Sequence, residues 1–164
     1  MRFAVFVALL LCSLTPAFAD GRADWSGYDW RVQPFGQCLE ITEGACLTHR
    51  AKWDWKRNQW VDLRYTPTAD GLDLSITLTN NDRGDDDYVC VTALFLDASG
   101  ANIAAYHANL HIDPSTTLEH AARLIVSPSL MSTIAKVDVG TKQCREGAGQ
   151  DDAVDAIVRS RLPG

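Results

Sequence analysis

The sequence is poor in long apolar runs, in basic charge and in catalytic signatures, and each shortage excludes something. Its longest apolar run, Phe3–Leu11, is nine residues, against the roughly 20 that a membrane-spanning helix needs. No bilayer span is therefore expected. Lys and Arg total 15 against 21 Asp and Glu. An acidic chain gains little from releasing counterions on a phosphate backbone, which argues against nucleic acid as a partner. G-x-S-x-G, H-E-x-x-H and C-x-x-C are all missing, so no residue order marks a serine hydrolase, a zinc protease or a zinc ribbon. There is no internal repeat or low-complexity tract, and no cofactor is implied.

The short apolar run is informative in another way. A basic start at Met1-Arg2 precedes it, and Ala17-Phe18-Ala19 offers small residues for cleavage. That layout is a secretory signal peptide over residues 1–19, with Asp20 as the new N-terminus and a periplasmic or secreted destination. A lipoprotein reading centred on Cys12 is disfavoured by the bulky Leu11 before it. Processing leaves 145 of the 164 residues, with 14 Lys and Arg against 21 acids, a net charge of −7. That length fits one domain. The expected division is a β-sandwich over 20–146 and a flexible tail over 147–164. In the tail, early acids, late arginines and an apolar stripe at Val154, Ile157 and Val158 predict a short amphipathic helix.

Four cysteines remain: Cys38, Cys46, Cys90 and Cys144. In an oxidising compartment an even count reads as two disulfides, with three connectivities open. Cys38–Cys46 and Cys90–Cys144 are favoured. The first pair brackets a turn-like segment around Gly44, and the second ties a central strand to the end of the fold.

Strand signals dominate. Leu72–Thr79 alternates four aliphatic with four polar residues, the period of a half-buried strand. Asn80–Asp87 reads as an exposed polar turn. Tyr88–Leu96 is nearly all apolar or β-branched and is expected to be buried on both faces. Asp97–Gly100 reads as a hairpin connection into a strand at 103–112. Leu118–Val126 has helical propensity, yet its alternation inside a β series favours strand. One helical turn at 129–134 and a strand from Ala135 to Val139 follow. Upstream, 28–32 and 52–65 look extended, the latter as a hairpin around 56–59. Closely spaced short strands of this kind predict an all-β, antiparallel, immunoglobulin-like two-sheet sandwich.

Residues 70–140 resemble the immunoglobulin-like modules of bacterial envelope proteins, in particular the FxLYD type. The matching residues are Thr79-Asn80-Asn81, Val91–Asp97, Ser99-Gly100 and the Asp113–Thr117 turn. Ala93 stands where that motif has Phe, and Leu96 where it has Tyr. The resemblance implies a fold and an extracytoplasmic binding or assembly role, not an activity.

The strongest candidate site is the aromatic and basic stretch 49–65. Arg50, Lys52, Lys56, Arg57 and Arg64 against Asp54 and Asp62 give a local charge of +3. In a hairpin, Trp53 and Trp55 share a strand face and Trp55 lies opposite Trp60. Such a platform suits a glycan or an acidic protein patch. The alternative is that these tryptophans, with Trp25, Tyr28 and Trp30, fill the core. Asp85, Asp86 and Asp87, with Asp82, form either an acidic hairpin tip for binding or, less in keeping with their spacing, a Ca²⁺ site. His107 and His111, four apart on a strand, sit about 13 Å from each other and cannot share one ion. They read as the polar face of that strand.

The expectation is thus a disulfide-stabilised module that binds an envelope or secreted protein, and which is not an enzyme. Two alternatives stand beside it. One is an inhibitor or immunity protein against a secreted toxin or cell-wall hydrolase, with Asp85–Asp87 as its blocking loop. The other is a small polysaccharide-acting hydrolase built on paired carboxylates.

Overall fold

The alternation read from residues 72–79 builds the larger of two sheets. The structure, a computed structural model, describes residues 28–54 and 58–144. The expected signal peptide, the tail at 147–164 with its helix, and Trp25, Trp55, Lys56 and Arg57 lie outside the described residues. Nine strands run in chain order: β1 Asp29–Pro34, β2 Glu40–Thr42, β3 Ala45–Asp54, β4 Gln59–Thr68, β5 Gly71–Asn80, β6 Asp87–Leu96, β7 Asn102–Ile112, β8 Thr116–Ile125 and β9 Lys136–Cys144. A single helical turn, α1 at Pro128–Met131, precedes β9. Pairing is antiparallel throughout, in the orders β1-β9-β6-β7 and β2-β3-β4-β5-β8.

The two-sheet sandwich expected from the sequence is therefore present. β4, β5 and β8 stand as strands A, B and E of an immunoglobulin-like sandwich, and β7, β6 and β9 as C′, C and F. The chain departs from that scheme at the edge, where β1 arrives from the N-terminal side to pair with β9. Val61, Leu63, Leu72, Leu74, Ile76 and Leu78 face Val89, Val91, Phe95, Ile112, Val137 and Val139 across the core. β6 is buried on both faces, as its apolar run required. Leu94 and Leu96 on its outer side are covered by Tyr28 and Trp30, with Trp30 lying so closely over Gly140 that a Cβ there would meet its ring at 2.7 Å.

Residues 118–126 form strand rather than helix. β8 pairs residue for residue with β5, from Gly71–Ile125 to Asn80–Thr116, so a long-range partner overrides local helical propensity.

Both disulfides pair as favoured. Cys38–Cys46 ties the segment just before β2 to β3 across the β2–β3 turn at Glu43 and Gly44, both at positive φ (52° and 83°), the geometry of a tight hairpin. Cys90–Cys144 ties β6 to its neighbour β9. Phe35, Tyr65 and Phe95 close the core beside the first bridge, with Phe35 stacked on Tyr65 at 4.9 Å. The Tyr65 hydroxyl accepts the Gly36 N–H at 2.7 Å.

Candidate functional site

Period-2 geometry divides the tryptophans of the 49–65 segment between two environments. Bulges interrupt the β3–β4 pairing after Leu47 and after Lys52, and the resulting register sets Arg50 opposite Asp62 and Lys52 opposite Trp60. The expected Trp55–Trp60 cross-strand pair is corrected: the turn closes earlier, with Asp54 opposite Gln59, and the bulge beyond Lys52 adds one more residue of shift, so Trp60 faces Lys52. Trp53 packs against the core cluster. Trp60 lies on the outer face of the five-stranded sheet, the half-buried phase of β4 rather than the fully buried one.

Charge and hydrogen bonds hold this outer face in order. The Lys52 ammonium sits 4.9 Å from the Trp60 ring centroid, a cation–π contact. The Trp60 indole N–H donates to Asn58 Oδ1 at 3.0 Å, and Asn81 donates to the Asn58 carbonyl at 2.7 Å. Arg50 grips Asp62 through Nε at 3.0 and 3.1 Å and through Nη2 at 2.7 Å. Arg64 approaches the same carboxylate at 3.6 Å, and Glu40 lies 3.8 Å from Arg50. The Asp62 hydrogen bonds raise the Arg50 pKa further and keep its guanidinium charged. Arg50, Trp60, Asp62 and Thr79 line an open depression of about 290 Å³. An aromatic plate, a planar ion pair and a cation over the ring can contact a flat ligand while offering it directed hydrogen bonds.

The three aspartates do not share a site. Residues 81–86 connect strands of different sheets, so the expected acidic hairpin tip is corrected to a crossing between the layers. Asp86 is exposed and bonds His111 at 2.8 Å, which holds its carboxyl below the usual range. Asp85 contributes its backbone carbonyl to Asn80. Asp87 is 2% exposed; it accepts hydrogen bonds from Gln59 and, at 2.7 Å, from Gln143. Gln59 also donates to Asn80 Oδ1 at 2.7 Å, and that oxygen takes the Asp82 N–H at 2.9 Å. His107 is likewise drawn in rather than solvated, with Nδ1 2.8 Å from the Thr92 hydroxyl. Among the described residues no three of His, Cys, Asp or Glu stand where they could hold a metal ion.

Sequence reasoning missed this Gln59–Asn80–Asp87–Gln143 network. A signal was there: each polar residue prolongs the inward period of its strand, Gln59 with Val61 and Leu63, Asn80 with Ile76 and Leu78, Asp87 with Val89 and Val91, Gln143 with Val137 and Val139.

It also missed His49, which is 3% exposed. Burial, followed by the nearby Arg31 charge, lowers its pKa from 6.5 to about 4 against the opposing pull of Asp29 and Asp62. The folded state thus binds this proton more weakly than the unfolded chain. Stability is fully present above pH 6.5 and is lost as pH falls towards 4. At about pH 5 the loss relative to neutral pH amounts to about 2 kcal/mol, at 1.36 kcal/mol per pH unit below the unfolded pKa. Urea titrations at the two pH values should show that loss in the wild type and a flatter dependence in His49→Gln. Equal pH dependence in both proteins would overturn the assignment.

No helix among the described residues is long and apolar enough to cross a membrane. No family model and no curated protein matches the chain. Among solved structures, it is similar to the enzymatically active domain of tailspike protein 4 of bacteriophage CBA120, at 15% identity and a TM-score of 0.27, over 70% of this chain and 17% of that one.

Proposed function

We propose that this protein is an extracytoplasmic binding module that acts through protein–protein contact, in the periplasm or outside the cell, and that it does so without catalysis. Its docking surface is the outer face of the five-stranded sheet around Trp60. Two disulfides fit a domain that matures in an oxidising space. The observation that carries the reading is the placement of Trp60: on a polar, outward face, beneath Lys52 and beside the Arg50–Asp62 pair, instead of in the core. Trp and Arg at the centre of a surface are the residue types that dominate binding energy. The acidic remainder of the chain leaves this basic patch as a local contrast, suited to an acidic partner surface. The resemblance to envelope modules accords with the same role.

Immobilised wild-type protein should retain a partner from an extracytoplasmic extract. Trp60→Ala should retain at least about tenfold less, at an unchanged melting temperature. Equal capture by Trp60→Ala and by Lys52→Glu would place the binding surface elsewhere.

A further inference from the structure

Among the described residues, the sheet that carries Trp60 ends in a strand whose outer edge is open. β2 closes one side with three residues, whereas β8, at the other, runs for ten. Natural sheets blunt such edges with charged side chains, proline, bulges or short strands. β8 carries the charges Glu119 and Arg123 but none of the other three devices: it contains no proline, and its pairing with β5 has no register break. Every second side chain on it is exposed, and Ile125 reaches 74%. Beside it Leu130 is 36% exposed, and the two line a depression of about 270 Å³ between β7 and β8.

Which backbone groups are unspent follows from the ladder. Val126 N–H donates to Asp70 one step beyond the Gly71–Ile125 pair. By antiparallel alternation, even-numbered residues of β8 exchange hydrogen bonds with β5. The odd-numbered residues Thr117, Glu119, Ala121, Arg123 and Ile125 turn their N–H and C=O groups away from it. An extended chain is the occupant that pairs all of them.

We propose that this occupant is a second copy of the chain, joined to the first by antiparallel β8–β8 pairing about a two-fold axis at Ala121. The sequence of β8 is self-complementary in that register. Ala121 meets Ala121 of the second copy, Glu119 meets Arg123, and Leu118 meets Leu124 on the inner face. Each of the five outward residues then faces another outward residue, so both edges are satisfied at once. Arg123 reaches Asp70 through Nη2 and Asp73 through Nε within its own chain, leaving Nη1 for a carboxylate across the axis. Glu119 accepts from Thr77 through one oxygen and has the other to give. The product is a continuous ten-stranded sheet. The two-fold axis is perpendicular to it, so both Trp60 faces lie on the same side, with their β4 strands five strand spacings or about 24 Å apart. Paired modules of that kind would engage a repeating partner with avidity.

The test is the molar mass of the full mature chain by light scattering and sedimentation, at concentrations up to about 100 μM. Wild type is expected to be dimeric. Ala121→Pro removes an N–H that β5 does not use and should yield a folded monomer. Arg123→Glu sets like charges opposite each other and should weaken the dimer at least tenfold. Adding Glu119→Arg to it restores opposite charges across the axis and should recover the dimer, a rescue that no purely structural role for Arg123 produces. A wild-type monomer across this range, or a dimer that survives both Ala121→Pro and Arg123→Glu, would overturn the proposal. Neither result bears on binding through Trp60, which the capture experiment reads separately.

Discussion

Replacing Cys90 and Cys144 together by Ala should lower the unfolding free energy by about 4 kcal/mol, against about 2.5 kcal/mol for the Cys38/Cys46 pair, on the loop-entropy relation. The difference follows from loop length: the bridges close sequence separations of 54 and 8 residues. The longer one holds β6 against β9, the central pair of the four-stranded sheet, and spans the crossings into and out of β8. Cutting it frees the unfolded chain over about half the described domain while leaving the ladder between β6 and β9 intact. Denaturant titration of the two double variants is the check. A larger loss for Cys38/Cys46 would mean that strain or local packing, not chain entropy, dominates.

Asp87→Ala should cost about 2–4 kcal/mol, because the hydrogen bonds from Gln59 and Gln143 are lost together and a buried donor left without its acceptor costs roughly 1–3 kcal/mol. Gln59 is fully buried and cannot turn to water in compensation. Its amide reaches Asp87 and Asn80 at once, and Gln143 reaches Asp87 from β9. One carboxylate therefore fastens the ends of β4, β5, β6 and β9, two strands from each sheet. Asp87→Asn keeps the volume and one acceptor and should fall between wild type and Asp87→Ala. Hydrogen exchange should quicken first at Gln59–Val61 and Asp87–Val89. A change in stability below about 1 kcal/mol for Asp87→Ala would show that the network is not what holds that end of the sandwich.

These predictions mark what was legible in the chain and what was not. The disulfides were readable as a count and a preference, since spacing limits which cysteines a turn can join. The acidic cluster was misread, because Asp85, Asp86 and Asp87 look equivalent in a polar run. Asp87 opens β6 on the inward period of Val89 and Val91 and is buried, while Asp86 lies in the crossing between the sheets and stays at the surface. The aromatic hairpin was half readable: β3 and β4 pair as a hairpin, but Trp53 turns to the core and an earlier turn with a bulge beyond Lys52 sets Trp60 opposite Lys52. A bulge inserts one residue, and one residue reverses the face of everything after it.

By itself, the sequence determined the strands whose apolar pattern is strongest. The alternation in β4 and β5 and the double-sided apolar run of β6 follow from which side chains water excludes, a property of each segment alone. The tertiary structure decided the partners. β8 became strand because β5 satisfies its backbone over ten residue pairs, Asp87 became structural because Gln59 and Gln143 converge on it, and Trp60 met Lys52 because of the β3 register. Pairing joins residues far apart in the chain, and its energy exists only once both are in place, so no local pattern contains it.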